Sequence, residues 1–285
     1  MAVTTTTIIA TMTLTVPDMV PLIVPVMAKE RPLLHSSPRK RGPKVESRSR
    51  GNERMDSRHL DNGALYRLLT WLSPAYPVGA FAYSSGIEWA VEAGDIRDAE
   101  TLGRWIEAML TAGAGTSDGI FFSHAHRAVS RADDAAFVAV AELAAAFVTT
   151  RERFHETTTL GRAFLHVTHA AWPCPALAKL QRIWVGPLAY PIAVGTACAG
   201  HAIPLEPALR AFLTAVTSNW VSAGVRLIPL GHTEGQRLLN SLEPAVAATA
   251  QRALIARLDD LGSATFRADI ASARHEAQYT RLFRS

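Results

Sequence analysis

Cysteine is scarce: Cys174 and Cys198 are the two in the chain. They are too few and too far apart for a disulfide framework or a zinc site, which leaves one bridge or two buried free thiols as readings. No Walker A loop is present, so the chain supplies no phosphate cradle of that kind. G-x-S-x-G is missing too, and no Ser, His and Asp are spaced to announce a nucleophilic triad. Long uninterrupted apolar runs are also lacking. Pro17, Asp18, Pro21 and Pro25 break up the N-terminal apolar region, and Pro187, Pro191 and His201 interrupt Ile183 to Ile203. Neither stretch reads as a bilayer-spanning helix, so no membrane partner is expected. A secretory signal is disfavoured because no Lys or Arg precedes the first apolar stretch, although Val26 and Ala28 are small residues at a cleavage-like position.

Charge is unevenly placed. Residues 1–58 hold ten Lys/Arg and five Asp/Glu; the remainder holds nineteen and twenty, so a net of +4 is made of +5 and −1. The basic balance belongs to the first 58 residues, and a nearly neutral remainder argues against nucleic acid. Residues 29–58 are rich in Arg, Lys, Pro and Ser, a composition that buries too little apolar surface to fold. Residues 1–58 are therefore expected to be a disordered leader, or a mis-assigned start with Met55 as the initiator.

From residue 59 onward helical periodicity takes over, with 48% hydrophobic residues in the chain to build a core. Leu65, Leu68, Leu69 and Leu72 recur at i, i+3, i+4, i+7. Asp98 caps a predicted helix with the stripe Leu102, Trp105, Ile106, Met109, Leu110. Further stripes are Phe137, Val140, Ala141, Ala144, Val148 and, after Pro204, Leu209, Phe212, Leu213, Val216, Trp220. Leu238, Leu239 and Leu242 open a late helix with a kink or break at Pro244. Val225 to Leu230 alone looks strand-like. The expectation is a single all-α globular domain over residues 59–262.

The stretch Trp71 to Gly94 stands out as a helix end, a rigid crossing at Pro74 and Pro77, and a new helix start. Gly79 supplies turn freedom, and Ser84 or Ser85 can cap the second helix. Glu88, Glu92 and Asp95 share a face, read as a solvated surface or as a dock for a basic partner or a cation. Among ten histidines, His124 and His126 point to different faces, while His166 and His169 with Cys174 beyond form a weak metal candidate. Arg151, Glu152, Arg153 and Glu156 read as a solvated charged face. In the last segment, residues 263–285, a helix from about Arg267 would align Arg267, Arg274 and Arg281 on one face. His275, Tyr279, Leu282 and Phe283 would lie on another, a composition suited to binding a partner.

Two stretches, SPAYPVGAFAYSSGIEWAVEAG and GSATFRADIASARHEAQYTRLFRS, resemble the UreF family of urease accessory proteins, with similarity running from roughly Leu65 to Ser285. The matching positions are Pro77, Gly79, Tyr83, Gly86 and Glu88, then Ser263, Ala264, Arg274, His275, Gln278, Tyr279, Arg281, Leu282 and Phe283. The resemblance implies an all-α, non-catalytic cytoplasmic homodimer without a cofactor of its own. It also implies partners: a UreD/UreH-like accessory protein, a UreG-like GTPase and apo-urease, whose nickel centre the assembly matures. On that footing Tyr83, Glu88, Arg274, His275, Gln278, Tyr279, Arg281, Leu282 and Phe283 are expected to bind partners, the last segment ordering as they do. Pro77, Gly79 and Gly86 are expected to form a structural hinge. Two alternatives accompany this: direct activation of the GTPase through Arg281, and nickel storage by His166, His169 and Cys174.

Overall fold

A computed structural model describes residues 60–285; the expectation for residues 1–58 lies outside the described residues. Among the described residues twelve α-helices succeed one another: α1 (Asn62–Trp71), α2 (Ile87–Glu92), α3 (Ala99–Ala112), α4 (Ala114–Ser130), α5 (Asp134–Ala146), α6 (Arg151–Ala171), α7 (Pro175–Ile183), α8 (Tyr190–Gly200), α9 (Leu205–Leu227), α10 (His232–Ser241), α11 (Glu243–Ile255) and α12 (Phe266–His275). No strand occurs among the described residues, so the fold is all-α.

Local chemistry sets the helix starts. Asp61, Asp98, Asp133 and Thr150 each accept a backbone N–H from the first turn of the adjoining helix, and at α3 Thr101 returns the bond to complete a capping box. Proline opens α7, α8 and α11, where its missing N–H costs nothing. Pro244 does break the late helix, since α10 ends at Ser241 and α11 begins at Glu243.

The centre of the fold is α8, buried on every side from Pro191 to Cys198 and packed chiefly on α4 and α6. A helix apolar all round belongs inside, not at a surface. Gly195 lets α8 approach α4 closely: a methyl group there would lie 2.8 Å from the Phe122 carbonyl oxygen. Aromatic rings thread the core from Trp71 to Phe164 (6.2 Å), Tyr190 (5.9 Å), Phe212 (5.6 Å) and Phe122 (5.1 Å). Each such pair adds about 0.5–1.5 kcal/mol beyond burial.

Two sequence expectations need correction. Val225 and Leu227 belong to α9, because Val221, Ala223 and Gly224 beside them are buried on a continuing helical face. On α1 the buried face is Ala64, Leu68 and Trp71, whereas Leu65 and Leu69 are 43% and 67% exposed. Trp71, anchored edge-on to Phe164, turns that helix away from the leucine row. Both cysteines are free thiols, and burial pushes the Cys198 thiol up. No helix among the described residues is long and apolar enough to cross a membrane.

Candidate functional site

The two distinctive stretches at opposite ends of the chain meet in space. After α1 the chain crosses through Ser73–Val78, turns at Gly79 (φ 81°) and again at Gly86 (φ 83°), and enters α2. Both turns use the left-handed region that glycine adopts without steric cost. Gly86 has a second reason to be glycine: a methyl group there would lie 2.8 Å from the Ser272 backbone nitrogen, in the middle of α12. Missing a side chain at Gly86 thus lets α12 lie directly on α2.

α12 ends at His275, six residues and nearly two turns short of Arg281. The predicted rows of arginines and aromatics along one long helix are therefore replaced by a fold-back. Ala277 and Gln278 donate to the Arg274 and His275 carbonyls, and the chain then turns under. Residues 282–285 run back along the Ala82–Ser84 segment. Arg284 N donates to the Ala82 carbonyl at 2.8 Å, and Ser84 donates to the Ser285 carbonyl from its N–H (2.5 Å) and its hydroxyl (2.7 Å).

Glu88 is the node of this clasp. It is only 6% exposed, and its carboxylate accepts from Leu282 N (2.6 Å), Phe283 N (2.9 Å) and His275 Nε2 (2.9 Å). The reading of Glu88 as part of an open acidic face with Glu92 and Asp95 is corrected: its carboxylate points inward to the tail. A buried carboxylate needs such donors, because an unpaired one costs several kcal/mol. The solvated-face reading of Glu152 and Glu156 fails for the same reason. Both are buried on α6, and Glu152 lies in its first turn, where the helix N-terminus favours negative charge. Glu152 receives Arg281 at 3.1 Å and lies 3.7 Å from His275 Nδ1. Glu156 accepts from the hydroxyls of Ser85 (2.9 Å) and Ser285 (3.2 Å), and pairs with Arg153 at 3.0 Å.

Arg153 continues the network to Asp118 on α4. Burial works against the Arg153 charge, but the Asp118 and Glu156 carboxylates more than offset it and hold the guanidinium protonated. Burial pushes the Asp118 carboxyl up, against the pull of Arg153. On the other side, Trp220 of α9 donates to the Ser85 hydroxyl at 2.9 Å, and Arg226 lies over the Phe283 ring, 4.2 Å from its centroid. That stacking joins cation–π attraction to the burial of Phe283, which is 3% exposed.

The predicted site residues divide by exposure. Tyr83, Glu88, His275 and Phe283 are buried inside the clasp. Arg274, Tyr279 and Leu282 are exposed, Tyr279 fully. Arg281 lies along the rim, donating to Glu152 and to the Gln278 and Glu276 carbonyls, and Gln278 is half-buried with its amide on the Thr280 carbonyl. Of the expected hinge, Pro77 is exposed, and Gly79 and Gly86 hold the positive-φ turns. Sequence reading missed Asp118 and Arg226, placed Trp220 only in a core stripe, and misjudged Glu152 and Glu156.

Comparison with known proteins gives one answer. The family profile for UreF matches residues 96–243. A urease accessory protein UreF of Rhodopseudomonas palustris strain BisB18 is 62% identical over 222 residues, covering 78% of this chain and 92% of that relative. The Bradyrhizobium diazoefficiens protein of the same name is 60% identical over 222 residues, with the same two coverages. The chain belongs to the UreF family of urease accessory proteins. The profile covers α3 to the start of α11, so the two stretches that close on each other lie at its flanks, while their partners Glu152, Glu156, Trp220 and Arg226 fall within it. Elsewhere the candidate metal residues stay apart in character: His166 is exposed, whereas His169 and Cys174 are half-buried. Among the described residues no group of three His, Cys, Asp or Glu is placed to hold a metal ion. His124 and His126 do face different ways, toward the Ala256 and Ile203 carbonyls.

Proposed function

We propose that this chain is a non-catalytic scaffold in urease maturation, bridging a UreD/UreH-like protein and a UreG-like GTPase so that nickel reaches apo-urease. It would act in the cytoplasm as a homodimer, with GTP hydrolysis belonging to the GTPase and nickel passing as cargo. Family membership supports the reading at the level of urease maturation. The observation that carries it further is the tail itself. Buried carboxylates fix its backbone, while Arg274, Tyr279 and Leu282 face outward. An arginine beside exposed aromatic and aliphatic side chains is the composition of an interface hot spot.

The rival reading, in which Arg281 acts as an arginine finger on the GTPase, would require its guanidinium to leave Glu152 and two backbone carbonyls. Nickel storage has no geometric support from His166, His169 and Cys174, whose exposures differ and which belong to no three-ligand group among the described residues. The decisive experiment is co-expression of the urease operon with and without this chain, followed by the nickel content of purified urease. Loss of nickel without the chain is expected; equal loading would overturn the proposal. Arg281→Ala with capture of the GTPase tests the bridging role, and recruitment and activation that both survive would remove Arg281 from it.

A further inference from the structure

We infer that Glu88 is a positioning residue for the partner-facing surface: it does not touch a partner, but shapes the tail that does. The inference rests on the bridging role proposed above and assigns a distinct task within it. Glu88 is 6% exposed and sits beneath the tail, so its carboxylate is not offered to an approaching protein. Its two oxygens are filled from within. Oε1 takes Leu282 N, and Oε2 takes Phe283 N and the His275 imidazole.

Those three donors define the shape of the fold-back. His275 is the last residue of α12, while Leu282 and Phe283 belong to the returning segment. Binding all three to one carboxylate closes the intervening residues 276–281 into a loop. Leu282 and Phe283 are neighbours in a bend, and their side chains part company, one exposed and the other buried. Phe283 goes inward beneath Arg226, and Leu282, 64% exposed, goes outward with Tyr279. Without the carboxylate the two amides lose their acceptor, and the turn at Leu282 and Phe283 is held only from its far side, by the Arg284–Ala82 and Ser84–Ser285 bonds and the stacking of Phe283 on Arg226. Glu152 and Glu156 cannot substitute, because Glu152 holds Arg281 and Glu156 holds Ser285, Ser85 and Arg153.

The test uses the full chain and three readouts. In Glu88→Ala, amide hydrogen exchange of residues 281–285 is expected to quicken by about 10- to 100-fold, since an acceptor that is a charged group contributes about one to two powers of ten. Exchange in α4 and α8 should be unchanged. Capture of the UreD/UreH-like protein should fall by a similar factor. The third readout separates positioning from direct contact. Ser84 N donates to the Ser285 carbonyl, so the two residues are backbone neighbours, and oxidation of a Ser84→Cys, Ser285→Cys pair is the cross-link to use. Added to Glu88→Ala, this cross-link should restore slow tail exchange and partner capture. A cross-linked Glu88→Ala chain that still captures nothing would show that Glu88 itself makes the contact and would overturn the inference. Unchanged tail exchange in Glu88→Ala would overturn it equally. If the wild-type chain captured no such partner, the bridging proposal would fall, while tail exchange would still decide whether Glu88 holds the tail.

Discussion

Gly79 and Gly86 offer a controlled pair, because they share a backbone conformation and differ in what surrounds them. Their φ values are 81° and 83°. A methyl group at Gly79 would meet nothing within 4 Å, whereas one at Gly86 would lie 2.8 Å from Ser272 N and 3.1 Å from its Cα. The left-handed strain of an alanine is common to both, about 1–2 kcal/mol. Both substitutions also reduce the freedom of the unfolded chain, which returns about 0.4–1 kcal/mol. Gly79→Ala should therefore cost roughly 1 kcal/mol or less. At Gly86 the obstructing atoms are helical backbone, which cannot rotate aside, so α12 must shift off α2. Overpacking of that kind adds about 1–3 kcal/mol, for a total of about 1–4 kcal/mol. At about 2–4 °C per kcal/mol for a body of this size, that overpacking should make Gly86→Ala melt about 2–12 °C below Gly79→Ala. Thermal melting of the two full-length variants measures this, and amide exchange across α12 should quicken in Gly86→Ala alone. Equal melting temperatures would refute the claim that close contact between α2 and α12 organises this end of the molecule.

Three further outcomes rest on the same geometry. Arg153→Met leaves Asp118 and Glu156 buried without their shared countercharge and should lower stability in urea by about 3–5 kcal/mol; a loss under about 1 kcal/mol would mean that the triad is not electrostatically coupled. Tyr83 is 2% exposed and its hydroxyl has no hydrogen-bond partner among the described residues, so Tyr83→Phe should change stability by less than about 0.5 kcal/mol, whereas Tyr83→Asp should melt the fold; circular dichroism distinguishes them, and retained helicity in Tyr83→Asp would take Tyr83 out of the core. Burial pushes His126 below the ordinary histidine value, although its bond to the Ile203 carbonyl opposes this. The unfolded chain then takes the proton first, so this contribution is complete above about pH 6.5 and shrinks as pH falls below it, by at most about 1.4 kcal/mol per unit. Urea unfolding between pH 7.5 and 5.5 should show a shallower decline in His126→Asn, and an identical slope would contradict the assignment.

Much of the helical body was legible because its signals are local. Caps at Asp98, prolines at helix starts and the stripes of α3, α5 and α9 are written within a few residues of where they act. The errors arise where a distant residue decides. Leu65 and Leu69 look like a core stripe until Trp71 finds Phe164. Glu152 and Glu156 look solvated because nothing near them in sequence reveals that Arg281, His275 and Ser285 will arrive from more than a hundred residues away. An acid on an amphipathic helix reads as surface by default, and only a tertiary donor overrides that default. The tail was misread for the same reason. Its spacing suits a helix, but the acceptors on α2 gain more from bare amides at Leu282 and Phe283 than a helix would leave free.

This dependence also explains why the two distinctive stretches act as one unit. Glu88 without the tail is a buried carboxylate stripped of three donors, and the tail without Glu88 is a short segment whose one large buried anchor is Phe283. Neither half is stable in this form alone, because an orphaned buried charge costs more than the clasp's individual hydrogen bonds contribute. A partner that engages this end must therefore leave the clasp closed, or bring N–H donors and a cation of its own to Glu88, Glu152 and Glu156. The first course keeps every bond already made and needs only the outward residues Arg274, Tyr279 and Leu282. The second must rebuild the set of donors during binding. Closed-clasp recognition is accordingly the lower-energy route, and in it Glu88, buried beneath the tail, would act through the shape it gives to Arg274, Tyr279 and Leu282.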